Sequence, residues 1–142
     1  HVLVPAIDPA KPVTLSSKAI TGLLKGKLGF KGVVLTDDLF MKALAASTGP
    51  EDSAVEALQA GADLLMLSQG SSGPRVKAAI LQALASGRLS RARLEDAVLR
   101  VIELKLRFDM ARAFDPQART EARASLPNLV AADKARLEGM RP

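Results

Sequence analysis

At 142 residues, 48% hydrophobic and 25% charged, the chain is long enough for one modest domain with a real core and is not composed like a disordered segment. Four Phe with no Tyr and no Trp argue against a ring-lined sugar-binding module and against base-stacking nucleic-acid modules; the lack of Cys excludes disulfides, thiolate nucleophiles and cysteine-based zinc sites. The net charge of +5 arises from 20 basic and 15 acidic residues, and the basic ones gather mainly between Arg88 and Arg112 at helical spacing, as on a solvated helix face.

Val2 to Pro5 is apolar and β-branched and reads as the end of a first strand, after which Pro5, Asp8, Pro9 and Pro12 force an irregular loop. Ser16 or Ser17 suits the N-cap of a helix over 18–28 that gathers Ile20, Leu23, Leu24 and Leu28 on one face, and Gly29 suits its left-handed end. Val33-Val34-Leu35-Thr36, bounded by Gly32 and two aspartates, predicts a buried parallel strand. A helix follows over about 51–60 on the stripe Ala54, Val55 and Leu58, punctuated by Gly61. Ala62 to Leu67 is the next predicted strand, and Ser68 to Gly73 a polar, glycine-rich loop. Pro74 fits the first turn of a helix running to about Ala85. Ser90 caps the last strong helix, whose predicted buried stripe is Leu94, Val98, Val101, Ile102 and Leu106. Beyond Arg112 the chain is rich in Ala and Arg, with helical segments at 118–124 and 129–137 about Pro127, and reads as a linker or helical extension.

Alternation of strand and helix implies right-handed βαβ crossovers and a parallel sheet. The expected fold is α/β, either a sector of a (β/α)₈ barrel or a small doubly wound sheet. A complete barrel takes roughly 250 residues, so about three strands and their helices can be present. The expected division is a barrel part over 1–111 and a helical tail over 112–142.

Ligands bind at the carboxyl ends of strands in such sheets. Alternation along the second predicted strand puts Val33, Leu35 and Asp37 on one face and Val34, Thr36 and Asp38 on the other. If Val33 and Leu35 fill a barrel interior, Asp37 projects into its mouth, where a carboxylate has little structural use. Asp38 then turns towards the helices, where it can cap the next segment; the two aspartates are therefore not an acid/base pair across one substrate. The bland alternative is that both are loop starters. Asp63 lies at the opening of its strand and reads as structural, and His1 alone reads as a bystander. No metal site and no cofactor is expected: there is one His, no glycine-rich dinucleotide fingerprint, and Gly26-Lys27 lacks the rest of a phosphate loop. No apolar run approaches the roughly 20 residues of a membrane span.

Taken together, the segments resemble bacterial β-N-acetylhexosaminidases of glycoside hydrolase family 3. His1-Val2-Leu3-Val4-Pro5-Ala6-Ile7-Asp8 resembles a segment after a barrel strand, Leu28-Gly29-Phe30-Lys31-Gly32-Val33-Val34 the following helix end and strand, and Thr36-Asp37-Asp38-Leu39-Phe40-Met41 the nucleophile motif. Ala60-Gly61-Ala62-Asp63-Leu64 and Gly87-Arg88-Leu89-Ser90, with Arg93 through Lys105, resemble the next strand and the closing helix. The likeness is collinear over about 1–110 and implies the C-terminal part of a TIM-type barrel. It implies further that Asp37 attacks the anomeric carbon in a retaining mechanism, that His1 lines the sugar pocket, and that Met41, a motif position, binds the substrate or packs beneath the site. The implied substrate is an N-acetylglucosamine-containing glycoside, commonly tied to peptidoglycan turnover, and no nucleic acid or membrane span enters. Asp-Asp-Leu-Phe-Met favours this branch over the β-glucosidases, which tend to carry Trp after the nucleophile.

The family's Lys-His pair, its sugar-binding arginine and the mobile loop bearing the acid/base histidine have no counterpart in these residues. With His1 in place of an initiator Met, the N-terminal half of the barrel is expected to be missing from the sequence, and the chain alone is expected to be inactive and prone to associate through unpaired strand edges. The competing readings are a non-catalytic barrel part completed by another chain, and a small doubly wound domain for a phosphorylated ligand or nucleic acid. Cytoplasm is the expected compartment, although a Cys-free chain fits a periplasm equally.

Overall fold

The computed structural model describes residues 1–41, 44 and 49–108. The predicted boundary at Arg112 and the tail segments at 118–124 and 129–137 lie outside them. The chain divides into two compact units, His1–Val101 and Ile102–Pro142; of the second, only residues 102–108 are described. In chain order, a single 3-10 turn, Val13–Leu15, precedes α1 (Lys18–Lys27), β1 (Leu35–Asp38), α2 (Gly49–Ala60) and β2 (Leu64–Met66). A second 3-10 turn, Gly70–Ser72, leads into α3 (Gly73–Ala85), and α4 spans Arg91–Arg107.

Two parallel strands, rather than three, make up the sheet among the described residues. The predicted strand at Val2–Pro5 does not form: Val2 to Val4 are irregular and Pro5 opens a turn. The N–H groups of Ile7 and Asp8 both donate to the Val4 carbonyl, at 2.9 and 3.0 Å, and the Val13 N–H donates to Val2. Pro5 offers no N–H to a ladder. The second predicted strand forms two residues later than expected: the Val34 N–H is taken by the Asp63 carboxylate (2.9 Å), and pairing with β2 opens where the Val34 carbonyl accepts the Leu64 amide. Register pairs Leu35 with Leu64 and Asp38 with Met66, so β1 carries one more residue than β2 across this stretch. The Thr36 hydroxyl occupies the irregularity, accepting the Met66 N–H at 3.0 Å.

The core lies on one face of the sheet. Leu65 and Leu67 pack there with Leu15, Leu39, Leu44, Ala54, Ala57 and Val76, and a second cluster joins Val55, Leu58, Ala83 and Leu89 between α2 and α3. The predicted α2 stripe is thus wholly buried. Burying a Leu of this kind contributes roughly 1.5–3 kcal/mol relative to leaving it in water. The opposite sheet face is open: Leu35, Leu64 and Met66 are 51%, 41% and 41% exposed.

Caps follow the sequence closely. Ser16 Oγ accepts the Ala19 N–H, Ser90 Oγ accepts the Arg93 N–H, and Pro74 stands in the first turn of α3. α2 closes with Ala62 N–H donating to Ala57 and Gly61 N–H to Leu58, the double closure of a Schellman end, with Gly61 at φ +117°. Two expectations are corrected. α1 winds at π pitch, with Gly22 N–H reaching Ser17 O and Leu28 N–H reaching Leu23 O; the wider turn carries Leu28 off the buried face into solvent. In α4 the only fully buried side chain is Ala97, while Leu94, Val98, Val101 and Ile102 are half-buried and Leu106 is exposed.

Candidate active site

β1 delivers Thr36, Asp37 and Asp38 to the carboxyl end of the sheet. Pleating sends Thr36 into the interior and Asp37 to the open face with Leu35, as the alternation predicts. Asp37 Oδ1 accepts the N–H of Asp38 at 2.8 Å. Its carboxylate is exposed and ready to meet a solute rather than consumed in packing.

Asp38 is turned the other way. Its Oδ1 accepts the N–H groups of Phe40 (3.1 Å) and of Ser68 (2.9 Å), the latter 30 residues away at the end of β2. The Ser68 hydroxyl, then the Ser68 and Phe40 amides, hold the Asp38 carboxyl below the usual carboxylate range. The predicted capping role is what the geometry gives, and the two aspartates do not face one another.

His1 is not a bystander in space. Its Nε2 donates to the Asp38 carbonyl at 2.9 Å, and its Nδ1 lies 2.8 Å from Thr14 Oγ1. With Nε2–H spent on a carbonyl, Nδ1 accepts a hydrogen bond from the Thr14 hydroxyl when the ring is neutral and donates to it when the ring is charged. Sequence reading missed Thr14, which no local pattern marks. Met41 N–H also donates to the Asp38 carbonyl (3.2 Å), and the Met41 side chain is 42% exposed beside the strand end rather than packed beneath it. Asp37, Asp38, His1, Met41 and Ser68 therefore converge on one end of the sheet.

Asp63 lies at the other end of β2 and is structural, as expected. Its buried carboxylate accepts two bonds from Lys25 Nζ at 2.8 Å, one from Arg93 and one from the Val34 N–H. Arg93 also donates to the Leu58 and Ala62 carbonyls, closing the end of α2. Among the described residues no group of three or more His, Cys, Asp or Glu could hold a metal ion, and no helix is long and apolar enough to cross a membrane.

The family model for the glycosyl hydrolase family 3 N-terminal domain matches residues 1–104. The β-hexosaminidase of Nitrosomonas eutropha is 40% identical over 67 residues, 47% of this chain and 19% of that protein. The β-hexosaminidase LpqI of Mycobacterium tuberculosis is 33% identical over 110 residues, 74% of this chain and 28% of that protein. Among solved structures, a family 3 β-N-acetylglucosaminidase from Paenibacillus sp. FPU-7 superposes with a TM-score of 0.72 at 46% identity, covering 75% of this chain and 21% of that one. The chain thus spans between 19% and 28% of the length of these relatives.

Proposed function

The chain belongs to glycosyl hydrolase family 3, within its N-terminal domain, and from that premise we propose that it supplies the nucleophile end of a retaining β-N-acetylhexosaminidase, with Asp37 as the nucleophile. The observation that carries the reading is the stance of Asp37: exposed at the carboxyl end of β1, on the open face, with its carboxylate aimed by the next amide. Such a group attacks the anomeric carbon and forms a glycosyl ester; water later attacks the same carbon and restores the carboxylate. The leaving oxygen needs a proton from an acid standing across the sugar. Asp38 is unsuited to that task, being turned to two amides and held ionised. The family resemblance implies a histidine on a mobile loop for that acid, and residues 1–108 contain no counterpart of that loop.

His1 and Met41 would line the sugar pocket from the N-terminal segment and from the turn after β1. The relatives named above are β-hexosaminidases and a β-N-acetylglucosaminidase, which favours an N-acetylglucosamine-containing glycoside over a β-glucoside. Turnover of an aryl N-acetyl-β-glucosaminide by the full-length protein tests the reading. Asp37→Ala should lower kcat by at least about 10³-fold, and a slowly released fluorinated donor should add one glycosyl mass to the peptide holding Asp37. Retained turnover in Asp37→Ala would overturn it.

A further inference from the structure

Resting on the assignment of Asp37, we propose that Asp38 is the positioning residue of this site: its carboxylate holds the backbone that aims Asp37 and anchors His1. Three groups of Asp38 bear on the site at once. Its N–H grips Asp37 Oδ1 at 2.8 Å. Its carbonyl accepts both the His1 ring at 2.9 Å and the Met41 amide at 3.2 Å. Its carboxylate accepts the Phe40 amide within its own turn and the Ser68 amide from the neighbouring strand end.

The ladder holds this peptide only in part: Asp38 is in register with Met66 and the Leu39 N–H donates to the Met66 carbonyl at 3.1 Å, and the side chain adds the remaining ties. Between Leu35 and Asp38 the register slips, and the Met66 N–H is taken by the Thr36 hydroxyl. The peptide between Asp37 and Asp38 therefore sits where sheet pairing is irregular, and the Asp38 carboxylate ties it to both flanking segments. Aiming a nucleophile matters at the scale of this contact, since a displacement of about 1 Å can cost on the order of 100-fold in rate. A merely structural cap would lower stability while leaving the chemistry of folded molecules unchanged.

Both amides bond the same oxygen, Oδ1, so the conservative variant separates acceptor from charge. In the full-length protein, Asp38→Ala should lower kcat about 100-fold with KM changed by less than about threefold, and Asp37 labelling by the fluorinated donor should slow in parallel. Asp38→Asn, which retains the acceptor, should recover kcat to within about tenfold of the parent. If Asp38→Ala does not fold, Ser68→Ala decides instead: losing one donor to the carboxylate should lower kcat about fivefold at unchanged KM. A folded Asp38→Ala with parental kcat, an Asp38→Asn no better than Asp38→Ala, or a Ser68→Ala with parental kcat overturns the proposal. Asp37→Ala is run beside them. If it stays active, the nucleophile reading fails; if it is inactive while Asp38→Ala is normal, only the positioning role fails.

Discussion

Gly61 shows how much one missing Cβ can carry. At φ +117° it holds a conformation that L side chains rarely adopt, and an added Cβ would lie 2.6 Å from Thr21 Oγ1 and 3.0 Å from Ile20 Cγ2. Gly61→Ala combines backbone strain with a clash against α1 and should cost about 2–4 kcal/mol in denaturant unfolding. Gly29, at φ +69° with nothing near its missing Cβ, should cost only about 1 kcal/mol on the same change. Equal losses would mean that contact with α1 contributes nothing. Both glycines were legible in the sequence as helix endings; the close approach of Thr21 to Gly61 was not, because it joins residues 40 apart. The site divides in the same way. The outward stance of Asp37 follows from strand alternation, a local rule, and so does the inward turn of Asp38. The bonds from His1 to Asp38 and from Asp38 to Ser68 span 37 and 30 residues, and no spacing within one segment encodes them.

Among the elements, α1 and α4 are joined to the sheet by charge more than by apolar stripes. Asp63, with no exposed side-chain surface, is met by Lys25 from α1 and Arg93 from α4. The α4 pattern of Leu94, Val98 and Val101 was read as a buried stripe, yet those residues are half-buried, and the same helix sends Arg93 and Arg100 to Asp63. Removing one member of a buried pair leaves the others desolvated, so Asp63→Ala should cost about 3–5 kcal/mol. The exposed Arg88–Asp52 pair should be worth less than about 1 kcal/mol. Comparable losses in the two variants would deny the buried cluster its role. The entry to α1 adds a pH dependence. The Ser16 hydroxyl donates to Asp8 Oδ2 at 2.7 Å and, with the Ala10 amide, holds the Asp8 carboxyl below its ordinary value near 4. A carboxyl depressed by folding stabilises the protein above its unfolded value and loses that contribution as pH falls through the folded one. Stability should therefore be level above about pH 5 and decline below about pH 4, and Ser16→Ala should flatten part of that decline. An acid limb of unchanged steepness in Ser16→Ala would remove Asp8 as its source.

Across the molecule, the two sheet faces differ in a way that bears on how the domain works. Leu65 and Leu67 are covered by α2 and α3, while Leu35, Leu64 and Met66 stand open around the approach to Asp37. In a closed (β/α)₈ barrel the inward residues of the strands pack against one another in layers; two strands supply too few partners for that. The β1–β2 pair also leaves one backbone edge on each strand without a ladder among the described residues. Open apolar surface beside free strand edges is a template for association. The 142-residue chain by itself should accordingly show negligible glycosidase turnover and should self-associate in sedimentation, with dye binding typical of exposed apolar surface. The double change Leu35→Ser and Leu64→Ser removes roughly two half-exposed leucines from the contact and should weaken that association by at least about tenfold, without disturbing the helix-covered core on the other face. A chain that stays monomeric over the accessible concentration range, or a double variant that associates as strongly as the parent, would show that this face is not what drives it. Turnover by the isolated chain would go further: the acid would then lie within its own residues, and His1, bonded to the Asp38 carbonyl beside Asp37, would be the first group to test.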